Sequence, residues 1–288
     1  MALEHAENRI GIVGAGVMGQ GSAQRFAQYG YDITLYDVDS NTLSEAVKSI
    51  YRNLKLQSFM NKSIEPDAII ARISICKDCS AFSEVDYVIE NVFERIDVKR
   101  SVYEELEKEC KEACIYMVNT SCIPISLISS FTSREDKVIG VHLMNPVPMK
   151  DFCEVIRGEK TSERTIESVS QLLEKAGISC EVIHDSPGFV SNRLSHLLMN
   201  EAISLVEDGV AEVKQVDTIM EKAFLHKMGP LATADLIGLD VVLDSLNVLY
   251  ELHQDDKFRP RPLLKKLVEE GLLGRKRGHG FYDYRNKS

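Results

Sequence analysis

A glycine-rich segment at residues 14–19, GAGVMG, constrains the fold of this chain more than any other feature. It follows RIGIVG, a β-branched run typical of a buried strand, and it opens a stretch that predicts a helix from Gly19 to Tyr29. In that context the first glycine permits a tight turn, the second lets a pyrophosphate approach the backbone, and the third lets the helix pack closely on the strand. The predicted cofactor-binding residues of this turn are Gly14, Gly16, Val17, Met18 and Gly19.

A carboxylate at the end of the next predicted strand strengthens the prediction of a dinucleotide site. Asp37 closes YDITLYD, 23 residues after Gly14, where it can accept hydrogen bonds from the adenosine ribose hydroxyls. A 2′-phosphate would meet Asp37 and Asp39 with no adjacent Arg, so the pattern favours NAD over NADP. The alternative is a glycine-rich turn in an unrelated α/β protein.

From Arg9 to about Ile183, short β-branched runs alternate with amphipathic helical stretches. This alternation is typical of the α/β class and predicts a Rossmann-type doubly wound parallel sheet. Further strands are expected at VDYVIE, CIYMVN and VIGVHL. A helix over residues 97–110 would place Val98, Val102 and Leu106 on one buried face.

Beyond HDSPGFVSNR the pattern changes to apolar residues at helical spacing, which predicts an all-α C-terminal domain. Helices are expected over 216–224, 231–250 and 262–270, and the next β-rich run is FYDY near the end. Pro187 and Gly188 interrupt any continuing element, so we place the domain boundary beside them. The predicted domains are residues 1–185 and 186–288.

Composition and charge argue against several classes of function. A net charge of −10 is unsuited to a nucleic-acid partner, which needs a concentrated basic surface, although small anions can still bind locally. The chain contains no uninterrupted apolar run of about 18 residues, so membrane insertion is not expected. The first eight residues lack the basic start and apolar core of a secretory signal, and we expect a cytoplasmic protein.

The seven cysteines are spread along the chain, unlike those of a disulfide scaffold, and we expect them to be reduced. Cys76 and Cys79 form a CxxC, but no second Cys or His pair follows at the spacing of a zinc site. We therefore expect two ordinary thiols and no metal site, with a metal or redox role as the alternative.

Polar residues gather where predicted strands end, and in an open parallel sheet these carboxyl ends line the ligand crevice. His142 suits an alcohol oxidation, because imidazole titrates near neutrality and can take the hydroxyl proton as hydride leaves. Glu154 is a candidate to orient that imidazole, and Ser121 to hydrogen-bond the reacting oxygen. From residue types alone, a structural role for His142 stays open. The strand-end residues are Glu94, Asn119, Ser121, His142 and Asn145.

The order of these motifs carries a resemblance. NTS is followed by HxxNPVP, which begins 21 residues after Ser121, then by CEVI, DSPGFVSNR and the terminal GLLGRKRGHGFYDY. This order resembles the L-3-hydroxyacyl-CoA dehydrogenase family over nearly the whole chain, and most closely its bacterial 3-hydroxybutyryl-CoA dehydrogenases. The resemblance implies reversible, NAD-dependent oxidation of the 3-hydroxyl of an L-3-hydroxyacyl thioester, by a homodimer whose helical domain dimerises.

The resemblance also implies roles for individual residues. His142 matches the family's general base, Glu154 its partner, and Ser121 the residue that contacts the substrate hydroxyl and the nicotinamide. Asn192 matches the remaining active-site amide. The predicted NAD contacts outside the glycine turn are Asp37, Glu94, Lys99, Asn119, Ser121, Asn145 and Lys276. Without the resemblance, Lys99 and Lys276 would be interpreted as surface charges and Glu94 as a strand-end cap.

Departures from the family concern the substrate. Within YRNLKLQSFMNKS, Asn53 and Met60 replace a serine and a lysine that hold the CoA phosphates in the family, and Asn53 is the predicted substrate contact here. Leu143, Met144 and Cys153 replace residues beside the chemistry, so the acyl pocket is expected to differ. One alternative is therefore the same chemistry on an acyl carrier protein thioester in polyketide precursor biosynthesis. A second alternative is a non-catalytic NAD-binding protein.

Overall fold

The computed structural model describes residues 9–285, and these form two compact units, one ending at Ser186 and the other beginning at Pro187. The strands of the first unit are Arg9–Val13 (β1), Asp32–Tyr36 (β2), Ile73–Cys76 (β3), Tyr87–Glu90 (β4), Ile115–Val118 (β5), Val138–Leu143 (β6), Phe152–Arg157 (β7) and Ser179–His184 (β8). They form one sheet in the order β3-β2-β1-β4-β5-β6-β7-β8. The predicted doubly wound α/β fold is confirmed. One correction is needed, because β6 and β7 pair antiparallel while the other neighbouring strands run parallel.

The helices of this unit are Val17–Gln28 (α1), Ser40–Met60 (α2), Pro66–Ile70 (α3), Ile96–Glu109 (α4), Ile125–Ser129 (α5) and Glu163–Lys175 (α6). The first helix begins two residues earlier than predicted, because its N-cap is Gly16. Asp39 caps α2, since its side chain accepts hydrogen bonds from the amides of Asn41 and Thr42.

The centre of the sheet is apolar on both faces, as expected for strands that helices cover on both sides. Ile12 and Ile89 on one face and Val88 and Val118 on the other are all essentially inaccessible to solvent. Burial of such side chains stabilises the fold by about 1.5–3 kcal/mol each. The turn between β1 and α1 therefore follows a well-packed part of the sheet.

The buried face of α4 differs from the predicted one. Leu106 is buried as expected, but Val98 and Val102 are only half-buried, and Lys99 is fully buried instead. The reason is electrostatic, because Nζ of Lys99 lies 2.8 Å from both carboxylate oxygens of Glu90 at the end of β4. Lysine is almost never buried without such a partner, and apolar periodicity alone does not reveal one.

The second unit is helical, and this part of the prediction is confirmed. Its helices are Ser191–Glu207 (α7), Val213–Ala223 (α8), Pro230–Ile237 (α9), Leu239–His253 (α10) and Pro262–Glu269 (α11). The single helix predicted over 231–250 is wrong, because Gly238, with φ of +108°, separates α9 from α10. FYDY makes no regular strand within the described residues, where Asp283 only bridges to His279. Across residues 9–285, no helix combines the length and the apolar character that crossing a membrane requires.

Candidate active site

The turn between β1 and α1 has the geometry that a dinucleotide pyrophosphate requires. Gly14 adopts φ of +94° and donates its amide to the carbonyl of Tyr36 at 2.8 Å. A Cβ at Gly14 would lie 2.6 Å from the backbone oxygen of Asn91, and a Cβ at Gly19 would overlap the Gly14 carbonyl. A Cβ at Gly16 would meet no described atom within 4 Å. Gly14 and Gly19 are therefore required by the turn itself, whereas Gly16 borders open space at the positive end of α1.

Asp37 lies directly beside this turn. Its Oδ2 accepts the amide of Ala15 at 2.7 Å, and its Oδ1 accepts the amide of Asp39 at 3.0 Å. The carboxylate of Asp39 is already used to cap α2, which leaves Asp37 as the acid that contacts the glycine turn. Three large apolar side chains that follow β1, β2 and β4 are exposed: Val17, Val38 and Phe93. A positive helix end, an acid and exposed apolar groups fit the pyrophosphate, ribose and rings of NAD.

His142 and Glu154 form a buried pair on the antiparallel strands β6 and β7. The two residues are register partners, and the imidazole Nδ1 lies 2.8 Å from Oε2 of Glu154. An ionised carboxylate only accepts hydrogen bonds, so the Nδ1 proton faces Glu154 and Nε2 is the ring nitrogen directed away from it. This is the arrangement in which an acid orients a histidine base.

Asparagine side chains connect the ends of three neighbouring strands. Nδ2 of Asn119 donates to Oδ1 of Asn91 at 2.7 Å, and Oδ1 of Asn119 accepts the amide of Leu143 at 3.3 Å. Leu143 directly follows His142, so Asn119 braces the strand that carries the imidazole. The structure thus gives Asn119 a bracing function that the sequence prediction, which had it as an NAD contact, did not include.

The segment that contains Ser121 is held by Glu94, which lies between β4 and α4. One oxygen of this carboxylate, Oε1, accepts the amides of Ser121 and Cys122 at 2.9 and 3.1 Å and the hydroxyl of Thr120 at 2.5 Å. The other oxygen, Oε2, lies 3.7 Å from Nζ of the buried Lys99. The first unit therefore brings the glycine turn, Asp37, Glu94, Ser121 and the His142 strand to the carboxyl edge of one sheet.

Comparison with known proteins adds the family. The NAD binding domain of 3-hydroxyacyl-CoA dehydrogenase matches residues 9–186, and the C-terminal domain of 3-hydroxyacyl-CoA dehydrogenase matches residues 188–284. The chain belongs to the 3-hydroxyacyl-CoA dehydrogenase family. The predictions of an NAD-dependent oxidoreductase and of NAD as cofactor are thereby confirmed.

Full-length relatives carry a narrower name. A Deinococcus radiodurans protein named "Probable 3-hydroxybutyryl-CoA dehydrogenase" is 41% identical over 277 residues, covering 96% of this chain and all of that protein. The 3-hydroxybutyryl-CoA dehydrogenase of Bradyrhizobium diazoefficiens is 39% identical and covers 96% of this chain and 95% of its own. The crystal structure of (S)-3-hydroxybutyryl-CoA dehydrogenase from Ralstonia eutropha superposes with a TM-score of 0.93 at 35% identity, covering 98% of this chain and all of that one.

The remaining predicted site residues of this family member are distributed over both units. Asn145 is exposed three residues after His142, and Asn53 is exposed on α2. In the helical unit, Asn192 is half-buried in the first turn of α7, where its carbonyl accepts Nδ1 of His196 at 2.8 Å. Lys276 pairs with Asp240 at 2.5 Å.

The CxxC pair has little capacity for thiolate chemistry. Burial raises the pKa of Cys76 to about 11, and burial raises the pKa of Cys79 further. Thiolates are the forms that react and bind metals. No group of His, Cys, Asp and Glu side chains suited to a metal ion occurs in the described part of the chain.

Sequence reasoning missed three residues that support the site, namely Glu90, Asn91 and Thr120. Each follows or ends an apolar strand, so polarity at a strand end was the available signal. Their partners are nine to 28 residues away, at Lys99, Asn119 and Glu94. The order of the strands in the sheet determines which of these side chains meet, and the sequence pattern does not predict that order.

Proposed function

We propose that this protein catalyses the reversible NAD-dependent oxidation of an L-3-hydroxyacyl-CoA of the 3-hydroxybutyryl-CoA type to the 3-oxoacyl-CoA. The observation that carries the proposal is the buried His142–Glu154 pair, which lies in the same unit as the glycine turn and Asp37. The full-length relatives named 3-hydroxybutyryl-CoA dehydrogenase support a short acyl chain.

Each polar residue of the site has a defined role in this proposal. Nε2 of His142 takes the proton of the 3-hydroxyl, and Glu154 holds the ring and stabilises the imidazolium that forms. Ser121 and Asn192 hydrogen-bond the reacting oxygen and the thioester carbonyl and so orient the substrate. NAD, when bound, accepts the hydride that leaves C3. In the reverse direction His142 returns the proton to the alkoxide oxygen.

The proposed cofactor contacts combine backbone and side chains. The glycine turn approaches the pyrophosphate, and Asp37 accepts the adenosine ribose hydroxyls. The remaining proposed contacts are Glu94, Asn119, Ser121, Asn145 and Lys276. The predicted contact of Lys99 with NAD needs correction, because Lys99 is completely buried beside Glu90 and has no surface with which to touch a ligand. Lys99 is instead proposed to act through Glu94, whose Oε2 lies 3.7 Å from its ammonium.

CoA is the proposed carrier of the acyl group, and Asn53 is the proposed contact on α2. Lys55 and Lys62 lie near Asn53 in the sequence and are candidates to replace the missing phosphate partner. The comparisons do not support an acyl carrier protein as the carrier. A cytoplasmic location stays a prediction.

We propose that the helical unit contributes to substrate binding and forms a homodimer. Val190, Leu194 and Leu198 recur at four-residue spacing along and just before α7, and all three are exposed. An exposed apolar row of this kind is typical of a surface that another chain covers. Sedimentation of wild type and L194E tests this, and a wild-type monomer would contradict it.

Steady-state kinetics test the proposed reaction. Acetoacetyl-CoA with NADH should be reduced with saturation at micromolar to millimolar substrate, the range of most enzymes, and NADPH should be used poorly. Acetoacetyl carrier protein, assayed in parallel, should be the weaker substrate. Turnover of the carrier-bound form alone would replace CoA in the proposal, and no turnover of either would favour the non-catalytic NAD-binding alternative.

A further inference from the structure

The loop that carries Ser121 depends on one carboxylate for three of its hydrogen bonds. The donors are the hydroxyl of Thr120 and the amides of Ser121 and Cys122, and all three converge on Oε1 of Glu94. Glu94 precedes them by 26 to 28 residues, so the contact joins the loop after β4 to the loop after β5. Hydrogen bonds to a charged acceptor are the stronger ones, which makes this convergence a specific attachment.

Thr120 extends this attachment to the next residues of the loop. The residue is 2% exposed, and its hydroxyl oxygen accepts the amide of Ile123 at 3.2 Å while the hydroxyl proton points to Glu94. The backbone from Thr120 to Ile123 is therefore linked to Glu94 directly or through one hydroxyl. Loss of the carboxylate would leave these donors without their acceptor.

A buried cation, the ammonium of Lys99, lies beside the carboxylate of Glu94. The ammonium of Lys99 is inaccessible to solvent, lies 2.8 Å from both oxygens of Glu90, and lies 3.7 Å from Oε2 of Glu94. Glu90 also accepts the amide of Val92 at 2.7 Å, so the segment leading to Glu94 is tied to the same ion pair. The buried ion pair of Lys99 and Glu90 thus constrains the position of Glu94.

We propose that Glu94, supported by Lys99, is a positioning residue that fixes the backbone of Ser121 relative to the end of β6 and so sets the turnover rate. The inference rests on the proposed role of Ser121 in the reaction. This role differs from a direct contact between Glu94 and NAD. Oε1 of Glu94 binds the loop that carries Ser121, and Glu94 affects the reaction through the position of Ser121. Displacement of a reacting group by about 1 Å can cost on the order of 10²-fold in rate, so such a brace matters.

A double-mutant cycle on turnover at saturating NADH tests this role. E94Q keeps a carbonyl oxygen but removes the negative charge that strengthens the three hydrogen bonds, and it should lower kcat at least ~tenfold in the wild-type background. In the S121A background the same change should lower kcat less than ~twofold, because residues that act as a unit are not additive. Equal factors in both backgrounds would overturn the proposal, and so would an unchanged kcat of E94Q.

A second pair of variants guards against a folding defect. T120V should reproduce the kcat loss of E94Q and its dependence on Ser121, whereas T120S, which keeps the hydroxyl, should restore most of the wild-type rate. E104Q makes the same chemical change at an exposed position of α4 and should leave kcat unchanged. A T120S rate as low as that of T120V would contradict the hydroxyl contact.

Amide hydrogen exchange tests the attachment without any substrate. The amides of Ser121 and Cys122 should exchange faster in E94Q than in wild type, while E104Q should match wild type. Unchanged exchange in E94Q would overturn the proposal even if acetoacetyl-CoA is turned over. Faster exchange in a protein that turns over no acyl thioester would instead count against the proposed function alone.

Discussion

His142 and Glu154 lie directly opposite each other on antiparallel strands, and Nδ1 of the imidazole is 2.8 Å from Oε2 of the carboxylate. Both side chains are buried, so their relative position is set by strand register and by packing. The two residues are close in space because β7 pairs antiparallel with β6.

H142Q should lower turnover of acetoacetyl-CoA by at least ~10²-fold, because glutamine cannot take the hydroxyl proton. E154Q should also lower it by at least ~10²-fold, through loss of the charge that orients the ring. NADH affinity, measured by fluorescence titration, should be retained in both variants. E181Q is the matched control, because Glu181 is the exposed register partner of Glu154 on β8. An H142Q rate equal to that of wild type would discard the catalytic assignment.

Two glycines of the turn should respond differently to the same substitution. G16A should fold with wild-type stability, since its Cβ would meet no described atom, but it should weaken NADH binding at least ~tenfold by occupying the pyrophosphate space. G19A should destabilise the protein by about 1–3 kcal/mol, because its Cβ would overlap the Gly14 carbonyl. Thermal unfolding and NADH titration separate the two effects, and unchanged NADH affinity in G16A would argue against the pyrophosphate site.

Removal of only one partner of the buried Lys99–Glu90 pair should destabilise the protein. K99M should lower the free energy of unfolding by about 3–5 kcal/mol, because it leaves a carboxylate buried without its cation. The double variant E90M/K99M should lose less than K99M, which urea denaturation can measure. K48M removes one partner of the exposed Lys48–Glu45 pair and should have no measurable effect. A double variant less stable than K99M would contradict the argument.

The stability of the helical unit should depend on the ionisation of His196. Burial lowers the pKa of His196 below its ordinary value of 6.5, so the unfolded chain takes up the proton at a higher pH than the folded chain. The folded state binds fewer protons in that interval, and stability should therefore fall as pH drops below about 6.5.

H196Q does not titrate and should lose less stability than wild type between pH 6.5 and pH 5. Urea midpoints for unfolding of the helical unit at these two pH values provide the measurement. Parallel losses in the two proteins would show that other groups account for the acid sensitivity.

Local sequence patterns predicted the parts of this protein that depend on neighbouring residues. The glycine turn required only the strand before it and the helix after it, and the alternation of strands and helices predicted the doubly wound sheet. The predicted helices erred where the pattern is ambiguous, as at Gly238, whose positive φ divides α9 from α10. Such a break requires a backbone conformation that apolar periodicity does not reveal.

By itself, the sequence determined the cofactor turn, the fold class and the family, because contiguous motifs carry all three. Only the tertiary structure decided that Lys99 is buried against Glu90, that Glu94 holds the loop of Ser121, and that Asn119 braces the end of β6. These contacts join strand ends that are far apart along the chain. Their partners are set by strand order, register and burial, which are properties of the assembled sheet and not of any local segment.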